Sequence, residues 1–181
     1  MSYSSLMRII KERRSVRSYK EKPVPDHIIN EILESAIWAP SAGNLQPWEF
    51  IWIRDEETKL RVAQAASQLF ISTAPTVIVV AANKMRSGTF YGERGESLYC
   101  IQDTAAAIEN MLLAVHAHGL GACWIGAFDE GSVARILRMP EMIRPVAIIP
   151  IGYPDEEPVP PSRRPLSKVV HLEHYRSDRI L

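Results

Sequence analysis

Five consecutive residues, Arg13-Arg14-Ser15-Val16-Arg17, bring three guanidinium groups and one hydroxyl together. Arginine donates bidentately and a serine hydroxyl bonds at short range, so the run suits a phosphate dianion. On an extended backbone Arg13, Ser15 and Arg17 share one side at period two while Arg14 turns away. A solvated basic face or a nucleic-acid patch is the plainer alternative. Arg163-Arg164, a basic pair set among prolines, offers further positive charge to the same anion.

The stretch Pro40-Ser41-Ala42-Gly43-Asn44-Leu45-Gln46-Pro47-Trp48 holds glycine and three polar side chains, Ser41, Asn44 and Gln46, between two prolines. It reads as a loop, either an ordinary turn or a site mounted between a helix and a strand. Gly126 follows a buried apolar segment. A residue without a side chain there lets a flat ligand approach the main chain and meet an N–H.

Other chemistries find no support. Gly119-Leu120-Gly121 is not a dinucleotide-binding turn: a third glycine would be needed at Trp124, and the order is helix, turn, strand. His116 and His118 lie two apart on a helix and point to nearly opposite sides, so they cannot readily share a metal. His27, His171 and His174 have no companion Asp or Cys at ligand spacing, and no metal site is expected. Cys100 and Cys123 form no C-x-x-C pair and read as reduced packing thiols. Neither a G-x-S-x-G elbow nor a Walker sequence occurs.

The elements that must position these residues follow from hydrophobic spacing. Residues 5–14 predict a short helix running into the basic segment. Asp26 reads as the N-cap of a helix whose Ile28, Ile29, Ile32, Leu33, Ala36 and Ile37 repeat at 3.6-residue spacing up to Pro40. Residues 49–53 predict a strand, residues 56–70 a helix, and the apolar run 76–82 a strand covered on both faces. Residues 101–118 predict the longest helix, buried on several sides. Residues 122–125 and 146–151 predict core strands around a short helix at 130–138. Pro154, Pro158, Pro160, Pro161 and Pro165 then rule out regular structure and predict an extended arm. At ~3.1 Å per residue in the polyproline conformation, such an arm reaches across a subunit boundary.

The 181 residues suffice for one domain with an appendage, and 46% hydrophobic with 23% charged residues is an ordinary globular mixture. Lys plus Arg (21) balances Asp plus Glu (21), so no overall positive field draws nucleic acid or an anionic membrane. No apolar run approaches the ~20 residues of a transmembrane helix, and no signal-peptide core is visible, so a cytoplasmic protein is expected.

Taken together, Arg13-Arg14-Ser15-Val16-Arg17, the Pro40 to Trp48 loop, Gly119-Leu120-Gly121-Ala122-Cys123-Trp124-Ile125-Gly126 and Arg163-Arg164-Pro165-Leu166 resemble the FMN-dependent nitroreductase family, in order and at similar separations over nearly the whole chain. The resemblance implies an α+β fold, a small mixed β-sheet flanked by helices. Residues 1–181 would form a single domain, with 153–181 as a C-terminal arm exchanged between the subunits of a homodimer and FMN at the subunit interface. It places Arg13 and Ser15 at the FMN phosphate, with Arg14 contributing to cofactor binding and Arg163 and Arg164 closing the phosphate site from the arm. Arg17 lies nearer the pyrimidine side of the isoalloxazine. Pro40, Ser41, Asn44 and Gln46 come from the other subunit, and Ile125 and Gly126 pass beside the flavin, offering a backbone N–H toward N5.

Two departures stand out. Larger members often have an acidic residue where this chain has Gly126, so interactions at N5 rest on main chain. They also carry a helical insertion over the flavin, whereas the stretch 86–99 here is short. The implied activity is hydride transfer from NADH or NADPH through FMN to a small nitroaromatic, quinone or similar conjugated acceptor, with ping-pong kinetics. Arg17 and Gly126 are its catalytic residues, Arg17 by stabilising negative charge on the reduced cofactor. The alternative is a non-catalytic FMN-binding or flavin-handling protein.

Overall fold

The apolar run starting at Thr76 becomes a central strand because neither of its faces meets water. In the computed structural model, which describes residues 3–175, β2 (Thr76–Asn83) is buried as far as Ala82. It pairs antiparallel with β1 (Trp48–Ile53) on one side and β4 (Ile143–Gly152) on the other, and the short β3 (Gly121–Ala122) completes the order β1-β2-β4-β3. Alternation along β2 feeds two cores. Ile78 and Val80 pack with Ile29, Ile32, Ile108, Met111 and Leu112, which come from α2 (Asp26–Ile37) and α6 (Cys100–Ala117). Val77 and Val79 pack with Val62, Ile71 and Val133 from α3 (Glu56–Ala65), α4 (Phe70–Thr73) and α7 (Glu130–Ile136). The result is helices on both faces of one sheet. Each fully buried Ile or Val contributes about 1.5–3 kcal/mol.

The basic segment is mounted on this frame as an extra edge. α1 (Tyr3–Glu12) stops just before Arg13, and the chain turns extended, with a parallel bridge between Ser15 and Ala122 and the Val16 N–H bonded to the Ala122 carbonyl at 2.9 Å. Gly121 permits this approach, since a Cβ there would lie 2.7 Å from the Val16 side chain. Gly119, at φ +71°, ends α6 in the left-handed conformation that glycine adopts at little cost. The buried Tyr19 hydroxyl donates to the Val16 carbonyl at 2.5 Å and pins the segment from the other side. Burial keeps that phenol protonated.

Residues 153–156 leave β4 and run alongside residues 17–20. Lys20 N–H bonds to Tyr153 O and Asp155 N–H to Ser18 O, each at 2.9 Å. The Glu156 carboxylate accepts the N–H groups of Arg17 and Ser18. Beyond it the proline-rich arm has no regular structure until the turn Leu166–Lys168. Residues 176–181 of the expected arm lie outside the described residues.

Several sequence expectations need adjustment. The named strands pair antiparallel throughout, and parallel pairing enters at the Ser15 bridge. Asp26 is the first residue of α2, not its cap; Pro25 holds that place, and Asp26 pairs with Arg54 at 2.8 Å. The expected helix 56–70 divides into α3 and α4 because Ser67 takes φ +52°. The expected strand 122–125 shrinks to β3 and an isolated bridge between Ile125 and Ile148. The stretch 86–99, given no element from its spacing, holds α5 (Lys84–Arg94) and the π-turn Gly95–Tyr99.

Candidate functional site

Four polar residues of one short segment, Arg13, Arg14, Ser15 and Arg17, and one distant in sequence, Arg163 of the arm, line one cavity of about 230 Å³. None of its lining residues, all of them described, is acidic. The Glu156 carboxylate is held outside that lining by the Arg17 and Ser18 N–H groups, so four arginines share the cavity and an anion entering it would lower their mutual repulsion. Arg13 carries the clearest sign of a missing partner. Its Nε is buried without a hydrogen bond, and the nearest carboxylate oxygen, on Glu109, stands 4.0 Å away. A phosphate with three acceptor oxygens matches that donor set.

Arg14 departs from the period-two expectation. It lines the cavity with its neighbours, but its Nη1 turns back to the carbonyls of Lys11 at 2.6 Å and Arg13 at 2.7 Å, which leaves the rest of the fork for a ligand. The inward-turned residue is Val16, which is buried. Arg163 reaches the cavity with only weak bonds to its own neighbours, Pro161 O at 3.4 Å and Ser162 O at 3.5 Å. Arg164 is exposed and does not line it, because the next residue in an extended chain points away. Cys123, read as a packing thiol, is buried against this site. Burial pushes its thiol above the ordinary range, with Arg17 and a hydrogen bond from Ser15 pulling it partly back. Its spacing to the basic segment gave no signal, because the contact is made across the β3 edge.

Gly126 lies exposed just past the Ile125 bridge, and a Cβ placed on it would find no atom within 4 Å. That open space suits a flat ring. The Ile125 N–H is not available to such a ring, since it bonds to the Ile148 carbonyl at 3.0 Å. Of these two residues, only Gly126 would be left to donate a main-chain N–H to a ligand.

The loop bearing Pro40, Ser41, Asn44 and Gln46 does not line the arginine cavity of its own chain. Its polar groups are arranged as a donor surface. Ser41 Oγ accepts the Gln46 N–H at 3.0 Å, and Asn44 Oδ1 accepts from Gln46 Nε2 at 3.1 Å. What remains is the Ser41 hydroxyl proton and the Asn44 amide N–H groups, donors suited to carbonyl oxygens or ring nitrogens. Arg86 of α5 braces the loop through the Gln46 carbonyl at 2.5 Å and Glu49 at 2.7 Å.

The histidines stay outside this arrangement: His118 pairs with Glu31 at 3.3 Å. Among the described residues no group of three His, Cys, Asp or Glu side chains is placed to hold a metal ion, and no helix is long and apolar enough to cross a membrane.

The Nitroreductase family pattern matches residues 10–72 and 62–153. An NADH dehydrogenase of Thermus thermophilus is 35% identical over 187 residues, covering 88% of this chain and 91% of its own. Among solved structures, the NADPH:FMN oxidoreductase of Vibrio harveyi, determined with NAD+, superposes with a TM-score of 0.87 at 26% identity, covering 95% of this chain and 78% of its own. NfrA2 of B. megaterium gives 0.89 at 26% identity, covering 98% and 77%. The α+β fold, the sequence match along most of the chain and the mounting of the basic segment on the sheet agree: the chain belongs to the nitroreductase family.

Proposed function

We propose that this chain is an FMN-dependent oxidoreductase that passes a hydride from NADH or NADPH to a small conjugated acceptor, such as a nitroaromatic or quinone, and works as a cytoplasmic homodimer. The convergence of Arg13, Arg14, Ser15, Arg17 and Arg163 on one cavity without an acid carries this reading. The residues fit the cofactor: the buried, unpartnered Arg13 Nε seeks an anion, and the open space above Gly126 accommodates a planar ring. FMN, when bound, supplies the two-electron redox chemistry. The chain's own residues hold and tune it. Arg13, Ser15 and Arg163 grip the phosphate, with the free part of the Arg14 fork beside them. Arg17, at the far end of the segment, would set a positive charge beside the ring, and the open space at Gly126 would take the ring itself, leaving its opposite face to donor and acceptor in turn. One open face used by both substrates makes the kinetics ping-pong.

A second copy completes the site. The donor loop at Ser41 and Asn44 stands away from its own chain's arginines and is free to reach those of a partner. α1 supports the pairing: Tyr3, Leu6 and Ile10 sit at helical spacing, and no residue of this helix is buried. Val159, Leu166 and Val169 of the arm are likewise exposed, in keeping with one domain whose arm packs on its partner.

The test begins with the visible spectrum. The purified protein should be yellow, release FMN and not FAD on heating, and oxidise NADH or NADPH when a quinone or nitroaromatic is supplied. A colourless chain that FMN cannot reconstitute ends the proposal, and flavin without turnover makes it a flavin-handling protein. Arg17→Ala is expected to lower the bound cofactor's two-electron potential by about 40–85 mV, the equivalent of about 2–4 kcal/mol. An unchanged potential, measured by dye equilibration, removes Arg17 from its assigned place.

A further inference from the structure

Asp103 is a carboxyl that the chemistry above leaves unused, yet the fold buries it to 7% exposure in the first turn of α6. Its Oδ1 accepts the Ala42 N–H at 3.1 Å, while Oδ2 is buried with no hydrogen-bond partner. Half-satisfied buried carboxyls are costly. Desolvation raises the Asp103 pKa, and the Ala42 N–H opposes that rise without cancelling it.

The bond it makes falls on a strained piece of backbone. Ala42 opens the turn Ala42–Asn44, in which Gly43 and Asn44 have φ of +57° and +56°, and Gln46 follows at +51°. For Gln this left-handed region is strained, for Asn less so, and such strain persists only where surrounding contacts over-determine it. Arg86 restrains the end of the loop at Gln46, and the Ser41 hydroxyl closes it internally. Asp103 restrains its beginning, from the helix packed most deeply in the core.

We propose that Asp103 is a positioning residue: by holding the Ala42 N–H it fixes the strained turn so that Ser41 and Asn44 aim their donors at the bound flavin and its acceptor. This rests on the functional reading above. Asparagine retains a carbonyl acceptor for Ala42, whereas leucine fills the space and offers none. The same bond can be broken from the loop without disturbing the core. Ala42→Pro removes the donor at the first position of a helical turn, where proline is tolerated, and Ser41 before it is already extended (φ −143°, ψ 154°).

Four chains, Asp103→Asn, Asp103→Leu, Ala42→Pro and the Asp103→Leu/Ala42→Pro double variant, are titrated with FMN by flavin fluorescence and assayed at steady state. Amide hydrogen exchange across residues 41–46 is followed without flavin. Expected are an FMN affinity within threefold of the original for Asp103→Asn, and at least a tenfold loss for Asp103→Leu and for Ala42→Pro. The acceptor KM should rise more than kcat falls, and the double variant should be no worse than either single one, since both remove one bond. Exchange across the turn should quicken at least tenfold in Asp103→Leu and stay slow in Asp103→Asn. Unchanged FMN affinity and exchange in both Asp103→Leu and Ala42→Pro, or a loss in Asp103→Asn equal to that in Asp103→Leu, overturns the proposal. If the original chain takes up no FMN, the functional reading fails; the exchange arm then decides by itself whether Asp103 shapes the turn.

Discussion

Arg13→Ala is expected to weaken FMN binding about a hundredfold while leaving the fold without cofactor almost untouched. The size follows from what the guanidinium lacks. Its Nε is buried and unpartnered, and Glu109 at 4.0 Å is a distant, half-exposed counter-charge, so little is lost inside the protein when the side chain is removed. With a phosphate present, the same fork makes charge-assisted bonds worth about 1.5–3 kcal/mol in a partly closed site, and each 1.4 kcal/mol is a factor of ten. FMN titration by fluorescence measures the loss. Arg61→Ala, an arginine on the exposed side of α3, serves as the reference for simple removal of charge. Weakening by less than threefold in Arg13→Ala, or an equal effect from Arg61→Ala, places the phosphate elsewhere. Riboflavin, which lacks the phosphate, should bind the original and Arg13→Ala proteins alike.

Gly126→Val separates folding from binding more sharply still. No atom lies within 4 Å of a Cβ at this position and its backbone is not left-handed, so the folded chain accepts a side chain without strain. Thermal unfolding of the flavin-free protein should move by no more than about 2 °C, as for a surface change of about 0.5 kcal/mol. The space that valine fills is the one assigned to the flat ring, so FMN retention should be lost and NAD(P)H oxidation should fall below a hundredth of the original. Gly126→Ala should fall between the two. A yellow, active Gly126→Val protein would show that the ring lies on another surface. Together with Arg13→Ala, this variant tests the two ends of one ligand, the phosphate and the ring, through independent contacts.

The parts of this site differ in how openly the chain displays them. The guanidinium cluster is local, five residues in a row, and its chemistry is readable before any fold is known. The same holds for β2 and α6, whose apolar patterns are long enough that few arrangements can bury them. Arg86 and Asp103 are another matter. Nothing in their spacing marks them, because each acts on the loop at residues 41–46 from a separate element, α5 or α6, and those contacts arise only when helices and sheet have packed. Arg14 shows the same limit in reverse. Alternation turns it outward, but the free carbonyls at the end of α1 draw its side chain back along the cavity.

By itself the order of residues determined which groups are capable of phosphate recognition, which runs must be buried, where the chain must stay extended, and the family likeness that follows from their order. Tertiary structure alone decided that of the pair Arg163 and Arg164 only Arg163 meets Arg13, that the Ile125 N–H is consumed by Ile148, and that a core carboxyl holds the donor loop. The physical reason is range. Propensity and periodicity act over a few neighbouring residues, whereas these contacts join groups tens of residues apart or more, and their geometry is set by how the buried faces of sheet and helices fit together.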